Sequence, residues 1–239
     1  MIIMTEQEKQ QILEAAKNFF RTRIVPNHNS NTEKLADISE FNVNPFLSKY
    51  LAQFAFGDSS AQSIAKALIY PRVLGTSITT SFGTNMQYFC NDVLSSYAST
   101  TSGIDIEFID AIDGMRKYCQ VKAGPNTINK DDVPVIKGHF RSVINLARTN
   151  GLRIASNDCI VGVFYGTHSQ LSSHYKKIDE DYPVIVGQDF WYHLTGDPEF
   201  YDDLISAFAD VADEMDSSAL LQQTIDRLAF YLDQISNEE

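Results

Sequence analysis

Four polar residues, set two by two on neighbouring apolar stretches, carry the chemistry this sequence offers. In "GIDIEFI" Asp105 and Glu107 alternate with Ile104, Ile106 and Phe108; in "MRKYCQVKA" Gln120 and Lys122 alternate with Cys119 and Val121. Alternation of period two places each polar pair on one side of a strand. Between the stretches, "DAIDGMR" holds Asp113-Gly114, a strong hairpin signal. A two-residue turn there would set Asp105 opposite Lys122 and Glu107 opposite Gln120, with Cβ atoms roughly 4.5–5.5 Å apart. A longer turn would slip that register. Two carboxylates, an amide and a lysine on one face suit hydrolysis of a phosphodiester. Carboxylates hold a hard cation such as Mg²⁺ through oxygen. The cation polarises the phosphate and helps generate hydroxide from water. A lysine orients the attacking water or stabilises developing charge. The plainer reading of the same residues is a cross-strand salt bridge on a solvated sheet.

The charge balance bears on that choice. The chain has 239 residues and a net charge of −12, which taken whole disfavours nucleic acid. The charge is uneven, however: Met115–Arg153 holds eight Lys/Arg against two Asp, whereas Asp179 to the end holds sixteen acids against one arginine. A local basic segment can meet a polyanion while the acidic remainder keeps the chain in solution. Within it, Asn126, Thr127, Asn129 and Lys130 follow the Gly124-Pro125 break as a polar loop suited to phosphate or base-edge contacts. Lys137 and Arg141, at i and i+4, could track a phosphate backbone or simply face solvent. Gln87 and Asn91 lie opposite the apolar face of their helix and are weaker candidates.

The elements that must position these residues follow from periodicity. Thr5 and Glu8 form a capping box opening a helix that Pro26 ends. Helical spacing continues over 45–56, with Phe46, Leu47, Tyr50, Leu51 and Phe54, then from a Ser59 cap to Leu68 before Pro71. "LGTSITTSFG" reads as a polar connection, and Met86, Phe89, Cys90, Val93 and Leu94 as the inner face of a further helix. After the hairpin, placed at the sheet centre, come a helix near 135–148, a buried strand "CIVGVFYG", a short strand "YPVIVG" and two acidic helices near 199–214 and 217–236. The expected architecture is α/β: a central mixed β-sheet flanked by helices, in one domain. Residues 1–98 form a mainly helical part, 99–195 the catalytic core, and 196–239 C-terminal helices.

Together these residues resemble the PD-(D/E)XK nuclease superfamily, in a variant with Gln at the acidic position: "GID" with Asp105, then "QVK" with Gln120 and Lys122. "NPFLSKYLA", "PRVLGTSITTSFGTNMQ", "QVKAGPNTINKDD" and "FWYHLTGDPEFYDDL" extend the likeness to type II restriction endonucleases, nearest those cutting interrupted GC-rich palindromes of the RGGNCCY kind. The resemblance implies a restriction-endonuclease-like core, double-stranded DNA as substrate, Mg²⁺ as cofactor, a homodimer and 5′-phosphate products. It casts Asp105, Glu107, Gln120 and Lys122 as catalytic, the first three holding the metal. A repair or junction nuclease and an inactive DNA-binding scaffold, with Gln120 as the scar, are the alternatives. Three scattered cysteines fit reduced, cytoplasmic core residues, no apolar run reaches transmembrane length, and "MIIMTEQEKQ" lacks a secretory signal pattern. The five histidines show no metal-ligand spacing.

Overall fold

The computed structural model describes residues 4–238; residues 1–3, on which the reading of the N-terminus partly rests, and Glu239 lie outside them. In chain order the main elements are α1 (Glu6–Phe19), α2 (Val25–Lys34), α3 (Ser48–Phe56), α4 (Ala61–Pro71), α5 (Ile78–Thr84), α6 (Met86–Asp92), β1 (Ile106–Ile109), β2 (Arg116–Lys122), α7 (Asp132–Thr149), β3 (Cys159–Val163), α8 (Ser173–Asp179), β4 (Val184–Val186), α9 (Gln188–Thr195), α10 (Phe200–Glu214) and α11 (Ser218–Glu238). They gather into two compact units: a sheet unit of Met1–Phe19 and Gly83–Asp210, and a helical unit of Phe20–Phe82 and Val211–Glu239. Their borders do not follow the linear cuts at 98 and 195.

The sheet unit holds four strands in the order β1-β2-β3-β4. β1 runs antiparallel to β2, while β2, β3 and β4 are parallel, so the sheet is mixed. Alternation along β3 explains how both faces are covered. Cys159, Val161 and Val163 pack with Ile136, Phe140 and Val143 of α7 and Tyr175 and Ile178 of α8. On the other side, Gly162 has no side chain because the ring of Phe190 on α9 occupies its Cβ space, at 2.2 Å. There Phe89 of α6, Phe164 and Trp191 stack edge-on, with centroids 5.0 Å apart for Phe89–Phe164 and for Phe164–Trp191. The Trp191 indole N–H donates to the Phe164 carbonyl at 3.0 Å. Aromatic pairs of this kind add to the area they bury.

The helical unit has its own core, in which Leu35, Ala65, Ile69 and Val73 meet Ile225, Leu228 and Ala229 of α11. Its α3 is unusual. Phe46, Tyr50 and Phe54 are 89%, 61% and 77% exposed, and only Ala52 of that helix is buried. Helical spacing there marks a surface stripe, not a core face.

Several expectations need correction. Pro26 does not end the first helix: the chain widens into a π turn over Phe20–Ile24 and re-enters α2 with Pro26 in the first turn, where a missing N–H costs little. Ser60, not Ser59, caps α4, accepting from the Ser63 N–H at 3.3 Å, and Pro71 is its last residue. "LGTSITTSFG" is helical, as a π turn over Arg72–Ser77 followed by α5. β1 is an edge strand, so the hairpin is not central. The Thr5–Glu8 capping box is present, with Thr5 N–H donating to Glu8 Oε2 at 2.8 Å. Among the described residues no helix is long and apolar enough to cross a membrane. Cys90, Cys119 and Cys159 are free and buried.

Candidate active site

The hairpin turn is longer than two residues. Asp110 N–H donates to the Met115 carbonyl and Gly114 N–H to the Asp110 carbonyl, both at 2.9 Å, which leaves Ala111–Gly114 as the loop. Register slips accordingly: Glu107 faces Tyr118, not Gln120, and Ile106 faces Cys119. A slip of two residues keeps every side chain on its face but changes its neighbours.

Asp105 lies just before β1 and is tied to β2 twice. Its N–H donates to the Cys119 carbonyl at 3.0 Å, and its Oδ2 accepts from the Val121 N–H at 2.8 Å. At the carboxyl end of β2, Asp105 and Lys122 line one cleft of about 340 Å³ with Gln87, Cys90, Val121 and Thr127. Ligands of open α/β sheets characteristically bind beyond the carboxyl ends of the strands. Burial pushes the Asp105 carboxyl above the usual carboxylate range, opposed by the Val121 N–H and the Lys122 charge. Lys122 makes no ion pair with a described residue, so the salt-bridge reading of this pair does not hold. The Cys90 thiol in the cleft wall is pushed up to about 12 by burial and the Asp105 charge, and stays protonated.

The other two members of the quartet point elsewhere. Glu107 sits in a separate depression with Tyr97, Arg116 and Thr195. It accepts from Ser99 Oγ at 2.6 Å, Thr101 Oγ1 at 2.9 Å and Arg116 Nη1 at 3.2 Å. Burial raises its pKa, but these bonds together outweigh that and hold it below the ordinary value. Gln120 is buried against α7, where its Nε2 donates to the Gly103 carbonyl at 2.6 Å and meets His139 Nδ1 at 2.8 Å. His139 was not legible as a partner. Its only signal is its place on α7 between Ile136 and Phe140, which are both buried.

Among the loop candidates, Thr127 lines the cleft and hydrogen-bonds the Gly124 carbonyl at 2.9 Å and Tyr175 Oη at 3.0 Å. Asn126 and Lys130 are exposed at the loop tip. Asn129 is committed to the start of α7, its Oδ1 accepting from the Asp131 N–H at 2.7 Å. Lys137 pairs with Asp181 at 2.5 Å, and Arg141 is exposed one turn further on. The loops after β2, β3 and β4 meet closely at Pro125, Gly166 and Gly187. A Cβ on Gly187 would lie 2.3 Å from the Gly166 carbonyl oxygen, and one on Gly166 would lie 3.0 Å from Pro125. Gly124 is covered by the half-exposed ring of Tyr165, 2.7 Å from where its Cβ would stand.

Among the described residues no three His, Cys, Asp or Glu side chains converge as a metal cage. That does not exclude Mg²⁺, which keeps several waters and takes one or two carboxylates plus substrate phosphate oxygens. Asp105 fits such a role, since only its Oδ2 is engaged by a described donor.

A four-stranded mixed sheet flanked by helices is the restriction-endonuclease-like α/β class of fold. A family model described as type II restriction endonuclease EcoO109I matches residues 8–216, and the chain belongs to that family. No curated protein matches the chain.

Proposed function

We propose that the protein is a Mg²⁺-dependent, sequence-specific endonuclease that hydrolyses phosphodiester bonds of double-stranded DNA, cutting interrupted GC-rich palindromes of the RGGNCCY kind. The observation that carries this reading is the cleft itself, where a carboxylate and an ammonium stand together without pairing to each other. Asp105 would hold the cation, which when bound supplies Lewis acidity and a more acidic water. In this reading Lys122 orients the attacking water toward the scissile phosphate and stabilises charge as the 3′ oxygen leaves, giving 5′-phosphate ends. Thr127, which lines the cleft, and the exposed Asn126 and Lys130 of the same loop are the proposed DNA contacts, with Arg141 further along α7. Lys137 would have to leave Asp181 to take part.

A palindrome presents two equivalent strands, and Asp105 and Lys122 supply one such cleft per chain, so cutting both strands calls for a homodimer. The apolar stripe of Phe46, Leu47, Tyr50, Leu51 and Phe54 supports pairing. Five large apolar side chains exposed within nine residues are the kind of surface that marks an interaction site. The test is plasmid digestion with Mg²⁺ or with EDTA. Discrete fragments that vanish with EDTA are expected. Cleavage confined to branched DNA would move the reading to repair, and DNA binding without any cleavage would move it to an inactive scaffold.

A further inference from the structure

The residue at 120 is an amide where a nuclease of this class would be expected to carry an acid, and its surroundings explain the choice. Gln120 is 4% exposed. Its Nε2 carries two hydrogens and faces two groups: the Gly103 carbonyl oxygen at 2.6 Å and His139 Nδ1 at 2.8 Å. A carbonyl can only accept, so the nitrogen must be the atom pointing at Gly103. Its second hydrogen then meets a lone pair on Nδ1, which leaves the His139 proton on Nε2. Gly103 completes the lock. Its φ of +77° lies in the left-handed region, and a Cβ there would stand 2.5 Å from the His139 ring.

What is locked is the approach to Asp105. Residues 103–105 precede β1, which begins at Ile106. Three consecutive residues of β2 hold this segment instead. Cys119 receives the Asp105 N–H, Gln120 reaches the Gly103 carbonyl, and Val121 donates to the Asp105 carboxylate. A glutamate at 120 could at best accept from a re-protonated His139 Nδ1 and would have no proton for the Gly103 carbonyl, so that buried acceptor would face another and the clamp on Gly103 would be lost.

We propose that Gln120 is a positioning residue and not a metal ligand: with His139 it clamps the Gly103 carbonyl and so sets the Asp105 carboxylate at the cleft. This rests on the proposed nuclease reading, with Asp105 as the reacting-site carboxylate. A misplacement of about 1 Å at a reacting centre can cost ~100-fold in rate.

The experiment compares Gln120→Glu, His139→Leu and His139→Asn with the wild type on a duplex that the wild type cuts. Asparagine puts an oxygen acceptor near the place of Nδ1; leucine offers none. Three readouts are taken: kcat and KM at saturating Mg²⁺, Mn²⁺ binding to the protein alone by electron paramagnetic resonance, and hydrogen exchange of residues 102–106. The clamp predicts that Gln120→Glu and His139→Leu each lose about 100-fold in kcat with KM little changed. It predicts faster exchange at 102–106 in both, no tighter Mn²⁺ binding by Gln120→Glu, and recovery of most of the turnover in His139→Asn. Gln120→Glu cutting as well as wild type, or binding Mn²⁺ more tightly, would overturn the clamp and restore a ligand role. So would His139→Leu matching His139→Asn, a comparison that stands even where Gln120→Glu does not fold. Wild-type protein that cuts no duplex would instead remove the nuclease reading, while exchange at 102–106 would still report on the clamp.

Discussion

The two ends of β2 carry the same kinds of residue and treat them in opposite ways. Near its start, Lys117 is 3% exposed and surrounded: Asp113 at 2.5 Å, Asp158 at 3.6 Å and Asp110 at 3.9 Å, with His193 Nδ1 2.7 Å from Asp110 Oδ2. At its other end, Lys122 meets Asp105 across an open cleft without an ion pair. The Asp113 carboxyl is raised by burial but pulled below its ordinary value by its bonds to Lys117 and Met115, whereas burial leaves Asp105 raised. A lysine whose charge is consumed by neighbours ties the turn loop to the start of β3 and, through Asp110 and His193, to the last turn of α9. A lysine whose charge is left over can act on something that arrives. Charge satisfaction, more than residue type, separates structure from chemistry here.

The contrast breaks most directly by removing the cleft pair. Lys122→Ala and Asp105→Ala should each lower cleavage at least about 1,000-fold, a loss of the kind seen when transition-state charge is left unstabilised, with circular dichroism unchanged. Cutting at wild-type rate by either variant would undo the site assignment. Removing the other lysine should do the reverse. Lys117→Met strands buried carboxylates and should cost about 3 kcal/mol in urea unfolding, while the folded fraction cuts at the normal rate.

Asp105→Asn sharpens the comparison further. A carboxyl raised on folding contributes stability that is present below its unfolded pKa and lost as pH rises through its folded pKa. At neutral pH the charged Asp105 therefore costs stability. The asparagine, which can still accept from Val121, should melt higher than wild type at pH 7.5, with the gap closing toward pH 4, while cutting nothing. Equal melting at pH 7.5 would contradict the raised pKa. The smallest effect is expected from Glu107→Gln, where Ser99 and Thr101 remain as donors: less than ~1 kcal/mol in stability and cleavage within a few-fold of wild type.

How much of this was legible follows from the range of each interaction. Alternation over 104–109 and 116–122 is local and marked both strands, but β1 begins only at Ile106, Ile104 packs with the cluster around α7, and the face read as polar carries a buried Gln120. Register depends on the turn loop, and Asp113-Gly114 looks like a two-residue turn although it closes a longer one anchored by Asp110. That is why Glu107 seemed to meet Gln120. Lys117 read as part of a basic segment although its nearest partner, Asp113, stands four residues before it; that the lysine is buried depends also on Asp158, about forty residues away along the chain. The Gln120–His139 contact was out of reach for a similar reason, since α7 covers a sheet face that the sequence alone presents as polar. The α3 stripe has a core-like pattern and yet is exposed, because periodicity marks a shared face and not what covers it.

The stack of Pro125, Gly166 and Gly187 bears on any attempt to re-engineer this enzyme for new targets. It joins the loops after β2, β3 and β4 by close approach, main chain to main chain between Gly166 and Gly187 and proline ring to Gly166 at Pro125, so a side chain has no room at either glycine, where φ values of 104° and 56° add a backbone penalty to the steric one. Asn129 is similarly committed, to the start of α7. A combinatorial library would therefore hold these four positions constant as an immobile frame and randomise Asn126 and Lys130 at the loop tip. There, altered reading of a DNA sequence need not disturb the geometry of cutting.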